Sequence, residues 1–112
     1  MTLRKAQRII GYDIECHCMA DGCWTAEVDL TDINVKIGAS GNSCEEVLEQ
    51  LVDLGYGVLG EWTFRKQGWR CANCGELAPL EKDHIQPRAR GRIDRGNLQG
   101  LCNRCHRRKH GG

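Results

Sequence analysis

From Tyr12 to Met19 apolar and polar residues alternate: Tyr12, Ile14, Cys16 and Cys18 fall on one side, Asp13, Glu15 and His17 on the other. A period of two predicts a half-buried strand. Ala20-Asp21-Gly22 supplies an Asp-Gly turn, and Trp24 to Leu30 alternates again, with Trp24, Ala26, Val28 and Leu30 facing one way. Thr31-Asp32 can turn the chain once more. Ile33, Val35 and Ile37 then predict a third short strand, with Gly38 to Asn42 as loop. Here the period changes. Val47, Leu48, Leu51 and Leu54 form a stripe at helical spacing, behind Ser43 and Glu46 at capping-box spacing, and Gly55 is the expected stop. Residues 1 to 11 are basic and partly apolar, and read as a short helical turn or a frayed tail. The expectation for residues 1–60 is a β-β-β-α module, because a three-stranded meander under one helix buries both apolar sets.

The stretches Gly22-Cys23-Trp24-Thr25-Ala26-Glu27-Val28 and Ser43-Cys44-Glu45-Glu46-Val47-Leu48 in this element order resemble the HicB-like antitoxin domain, itself related to the double-stranded-RNA-binding arrangement. The resemblance is a hint about fold.

Tyr56 to Gly68 is expected to join this module to a second one, residues 61–112. Trp62, Phe64 and Trp69 sit close together there, and packing is favoured over a platform for stacked bases. The second half is organised by two C-x-x-C pairs, Cys71/Cys74 and Cys102/Cys105, with 27 residues between them. Two such knuckles bring four thiolates onto one ion in a closed tetrahedral shell, the structural kind of zinc site. Gly75 directly after Cys74 suits the knuckle turn. The other cysteines, Cys16, Cys18, Cys23 and Cys44, have a spacing that fits no common knuckle, and small core positions are favoured over a second metal site.

Composition sharpens the contrast between the halves. The net charge of the 112 residues is only +1, but residues 61–112 carry twelve Lys/Arg against five Asp/Glu, and residues 1–60 carry four against ten. A basic half points to a polyanion, most simply nucleic acid; an acidic half does not extend that surface. No apolar run approaches the ~20 residues a bilayer span needs, so no membrane role is expected. The start, MTLRKAQRIIGYD, has no apolar signal core, and paired C-x-x-C motifs favour zinc in a reducing compartment over a secreted disulfide framework. The expected location is therefore cytoplasmic.

Between and beside the cysteines lie Asp83-His84-Ile85-Gln86-Pro87, then Asn97-Leu98-Gln99, then Leu101-Cys102-Asn103-Arg104-Cys105-His106-Arg107-Arg108-Lys109. This arrangement resembles the HNH endonuclease family in its four-cysteine form: an Asp-His pair, an Asn thirteen residues after the His and a second His nine residues further on. The resemblance spans about Trp69 to Lys109. It implies the ββα-metal fold, with a strand at Leu80–Ile85, a loop at Gln86–Gly96, a strand at Asn97–Leu101 and a helix at Asn103–His110. The chain as a whole is then α+β, a β-β-β-α module followed by a zinc-braced ββα-metal module. The family often carries Gly-Gly in the loop, where this chain has Arg90-Gly91-Arg92.

The resemblance also implies roles. Asp83 and His106 would hold a catalytic divalent cation, Mg2+ or another, beside the structural Zn2+. His110, one helical turn after His106, stands where some family members carry a further ligand; the alternative is the fraying end of a helix. His84 would take a proton from the attacking water, since neutral imidazole accepts one near pH 7, and Asn97 would aim that ring. Consecutive strand residues face opposite ways, so Asp83 and His84 can share one phosphate only if the strand twists or bulges there. Arg88, Arg90, Arg92, Arg95, Arg104, Arg107, Arg108 and Lys109 surround these positions as candidate DNA-phosphate contacts. The expected function is metal-dependent hydrolysis of DNA phosphodiesters, leaving 5′-phosphate and 3′-hydroxyl ends. The rival reading is a non-catalytic zinc-knuckle nucleic-acid-binding protein, which has no use for Asp83, His84 and Asn97 together. A third is an antitoxin-like regulator carrying a nuclease module. Residues 1–60 would serve targeting, homodimerisation or a protein partner. So compact a nuclease fits a phage or mobile-element origin, which nothing in the sequence marks.

Overall fold

A computed structural model of the protein describes residues 1–86 and 93–111. The chain begins with a helix, α1 (Leu3–Ile10), capped by the Thr2 hydroxyl, which accepts from the Lys5 N–H at 3.1 Å. Gly11, at φ 87°, ends it, and Ala6, Ile9 and Ile10 are buried. Of the two sequence readings of residues 1–11, the helical one holds.

Three antiparallel strands follow in the order β1 (Ile14–Cys18), β2 (Trp24–Leu30), β3 (Val35–Gly41). The register places Ile14 opposite Val28 and Val28 opposite Ile37, so the alternating apolar residues form one core face. The third strand corrects the sequence reading. Ile33 lies in the turn, where Asn34 takes φ 58°, and Gly38 to Gly41, expected as loop, pair with β2 as far as Trp24. Backbone pairing along the whole of β2 outweighs the weak strand preference of Gly38 and Gly41. At Gly41 smallness matters as well, since a Cβ there would lie 3.0 Å from the Glu46 carboxyl carbon.

Helix α2 runs from Cys44 to Lys66, 23 residues or about 34 Å. Ser43 caps it as expected, accepting from the Glu46 N–H at 3.2 Å. Gly55 does not stop it. Val47, Leu48, Leu51, Val52, Gly55 and Leu59 form the buried face, whereas Leu54, expected in the stripe, is 45% exposed. A Cβ on Gly55 would meet Ile10 of α1 at 3.2 Å, so this glycine is a contact point between helices and not a terminus. The helix takes up most of the expected joining segment, and residues 60 and 61, where the sequence divides the chain, both lie within it.

The remaining elements are a hairpin, β4 (Leu80–His84) with β5 (Leu98–Cys102), and α3 (Asn103–Lys109). They match the expected strand, strand and helix to within a residue at each boundary. The hairpin packs on the far end of α2: a Cβ on Gly100 would come within 2.6 Å of the Phe64 ring, and one on Gly60 would collide with the Lys82 side chain. Phe64 also meets Trp69 edge-on at 6.1 Å. Leu98 of β5 belongs to the same apolar core as α1, the sheet and α2, while Cys71, Leu101, Cys102 and Cys105 form a second small core with Ala78 and Leu80. The architecture is α+β. No helix among the described residues is long and apolar enough to cross a membrane.

Candidate active site

The cysteine knuckle is built from local geometry. The Gly75 N–H donates to the Cys71 carbonyl at 2.9 Å, with Gly75 at φ 76°, and the Cys71 N–H donates to the Glu76 carbonyl at 3.0 Å. This turn brings Cys71 and Cys74 against Cys102 and Cys105, where β5 passes into α3. All four Sγ atoms lie within 4.8 Å of one another. The Cys74–Cys102 separation is 3.9 Å, close to the edge of about 3.8 Å for a tetrahedron with Zn–S bonds near 2.3 Å. The Asn73 N–H lies 3.4 Å from Cys71 Sγ, and the Asn73 amide lies 3.4 Å from Cys105 Sγ. Burial pushes the Cys71 thiol up, but backbone N–H groups of Cys74, Cys102 and Asn73 outweigh it and bring it down to about 6. At Cys105 the Asn73 amide favours the thiolate, yet burial and the three adjacent sulfurs prevail and push it up to about 11. Four sulfurs packed this closely ionise together only around a cation, so the residues are positioned for zinc. No comparable cluster among the described residues includes Cys16, Cys18, Cys23 or Cys44; the Sγ atoms of Cys16 and Cys44 lie 3.7 Å apart, and both residues pack against the main apolar core.

Strand β4 carries the Asp-His pair without a bulge: Asp83 stands opposite Gln99 and His84 opposite Leu98 in an unbroken register. The two side chains therefore leave on opposite faces. Asp83 faces α3. Its Oδ1 lies 2.8 Å from His110 Nε2 and 3.6 Å from His106 Nε2, and its Oδ2 accepts from Gln99 at 2.9 Å and from the Lys109 ammonium. Ligand atoms of Asp83, His106 and His110 all fall within 4.8 Å. Neighbouring ligands on an octahedral ion at ~2.1 Å stand about 3 Å apart, so the spacing suits one divalent cation. His106 Nδ1 is 3.6 Å from Glu81 Oε2, and the two imidazoles meet edge-on at 4.8 Å. Burial pushes the Asp83 carboxyl up, but hydrogen bonds from Lys109, Gln99 and His110, with the Lys109 charge, hold it at about 2.

His84 faces α2. Its ring is 8% exposed, lies parallel to Tyr56 at 5.8 Å and 7°, and places Nε2 2.7 Å from Asp94 Oδ1. Asp94 is 1% exposed. Its backbone N–H donates to the Ile9 carbonyl at 2.7 Å, which ties it to the end of α1.

The other candidate residues have partners of their own. Asn97 braces the base of the β4–β5 loop, its Oδ1 accepting from the Gln86 N–H and its amide donating to the Ile93 carbonyl, each at 2.9 Å; the His84 ring is met by Asp94 and Tyr56 instead. Arg95 forms a two-point pair with Asp32, Nε–Oδ2 2.7 Å and Nη2–Oδ1 2.9 Å, donates to the Gly11 carbonyl and covers the Tyr12 ring. It joins the two parts of the chain. Lys109 points back into the site, to Asp83 and to the carbonyls of His84 and Ile85. Arg104 pairs loosely with Glu76 at 3.2 Å, and Arg107 and Arg108 are exposed along α3. Arg88, Arg90 and Arg92 lie outside the described residues.

Asp94, Tyr56 and Gln99 were missed by sequence reasoning. Only Asp94 left a signal, as the one carboxylate in an arginine-rich loop.

No curated protein and no solved structure matches the chain. One family model does, over residues 71–112, the segment that carries the four cysteines and the Asp83–His106–His110 cluster, and its family is the HNH endonucleases.

Proposed function

We propose that the protein is a metal-dependent HNH endonuclease that hydrolyses DNA phosphodiester bonds. The observation that carries this reading is the meeting of Asp83, His106 and His110 on the hairpin and helix that the four cysteines fasten together. A fastened hairpin keeps the two imidazoles and the carboxylate within a span that suits one divalent ion, as a working site requires.

When bound, that cation neutralises charge developing on the scissile phosphate and the leaving oxygen. Asp83, His106 and His110 would hold it, and Gln99, bonded to Asp83 Oδ2, leaves Oδ1 facing the two histidines. Two nitrogen donors and one oxygen suit Mn2+, Co2+, Ni2+ or Zn2+ better than Mg2+, which prefers oxygen and water. His84 takes the proton of the attacking water. Because β4 is regular through His84, that water must be met across the strand end, where the His84 and Ile85 carbonyls already face Lys109. Exposed Arg107 and Arg108 on α3 supply positive charge for the phosphate backbone.

The test is cleavage of supercoiled plasmid by the zinc-loaded protein with Mn2+, Mg2+ or no added metal. Wild type should cut with Mn2+ at least as fast as with Mg2+, and Asp83→Ala and His84→Ala should each lose activity. Equal behaviour of wild type and both variants would replace this reading with non-catalytic nucleic-acid binding through the zinc knuckle.

A further inference from the structure

We infer that Asp94 is a positioning residue that fixes His84 as its Nε2–H tautomer and thereby makes Nδ1 the nitrogen that takes the proton from water. This rests on the endonuclease reading and adds to it a residue and a choice of ring nitrogen. The contact is specific: Nε2 to Oδ1 is 2.7 Å, with His84 and Asp94 both buried. A carboxylate accepts and does not donate, so the ring nitrogen facing it carries the hydrogen. In a neutral imidazole the lone pair is then on Nδ1. Ring rotation is blocked twice, by the parallel Tyr56 ring and by the placement of Asp94 itself. Tyr56 is in turn covered by the Lys82 ammonium, 4.5 Å from its centroid. Asp94 is held from outside the hairpin through its N–H on the Ile9 carbonyl, while its own carbonyl accepts the Asn97 N–H at 3.1 Å. The carboxylate is thus fixed at both of its backbone flanks and is well placed to orient the ring.

The experiment combines the nitrogen-15 signature of the His84 ring with plasmid cleavage. Zinc-loaded wild type in alkaline buffer should show Nε2 protonated and Nδ1 bare. Asp94→Asn keeps the size of the side chain but offers an N–H to the ring as well as a carbonyl. It should admit the Nδ1–H form and lower the cleavage rate toward that of His84→Ala, a loss of about 10²–10⁴-fold if the base is disabled. Asp94→Ala should lose the fixed ring signature with zinc content unchanged. A wild-type ring protonated on Nδ1 overturns the role of Asp94 even if His84→Ala is inactive. So does wild-type cleavage by folded Asp94→Asn and Asp94→Ala. Wild-type cleavage by His84→Ala overturns the base assignment itself, a failure the ring signature distinguishes from the first.

Discussion

The Lys109 ammonium bonds one oxygen of Asp83 while His110 Nε2 lies 2.8 Å from the other. A cation on the protein thus neutralises the carboxylate that a divalent ion would need. Lys109→Met should remove that competitor. Calorimetric titration with Mn2+ in chelator-free buffer should show roughly tenfold tighter binding, about 1.4 kcal/mol. The variant without added metal should melt earlier than wild type, because Asp83 is 3% exposed and would lose its charged partner. Unchanged affinity would mean that Lys109 leaves the site without cost.

The same pairing sets an acid response. With its carboxyl held at about 2, Asp83 contributes stability that is fully present above its unfolded value near 3.9 and is lost as pH falls toward 2. Asp83→Asn should therefore be less stable than wild type at neutral pH by roughly 2 kcal/mol, and the gap should close in acid. Denaturant melts at matched pH check this. A constant gap would point to packing and not charge.

Elemental analysis should find about one zinc per chain, and Cys71→Ser or Cys102→Ser should lose it. With it should go the second small core, since Leu101, Ala78 and Leu80 pack on the cysteines. Proteolysis should then open the hairpin first. Folded protein without zinc would remove the brace from this account.

Arg95 and Arg107 should separate structure from binding. Arg107→Ala should weaken DNA affinity and lower the slope of log affinity against log salt by about 1. Arg95→Ala should leave that slope alone and reduce thermal stability, because its guanidinium is occupied by Asp32 and the Gly11 carbonyl.

Two glycines should answer differently to alanine. Gly100→Ala forces a methyl within 2.6 Å of the Phe64 ring and should cost about 1–3 kcal/mol. Gly55→Ala meets Ile10 at 3.2 Å but gains ~1 kcal/mol of helix propensity, so its net effect on the melting temperature should be small.

These contrasts show which parts of the fold the sequence announces. Period-two alternation gave β1 and β2, and the cysteine spacing gave the zinc knuckle, because each depends on contacts close in the chain or on a rigid ligand geometry. Gly38–Gly41 and Gly55 misled for a shared reason. Glycine reads locally as a break, yet here its smallness lets Glu46 fold back and Ile10 approach. Asp83, His106 and His110 were legible as a set because their motif resembles that of the HNH family, with His110 one helical turn after His106, and the structure brings the three within 4.8 Å. The partners of His84 were not, because Tyr56 and Asp94 arrive from a helix and a loop with no fixed spacing to it.

Asp94 and Arg95 are neighbours in sequence, and both are anchored outside the segment that matches the nuclease family: Asp94 on Ile9, Arg95 on Asp32 and Gly11. The matched segment is therefore not a detachable cartridge. A fragment cut before Cys71 would keep every metal ligand and still lose the outside anchor of the residue that faces His84, together with Tyr56 behind the ring. What looks from composition like an acidic appendage is, mechanically, the fixture in which the loop facing His84 is clamped.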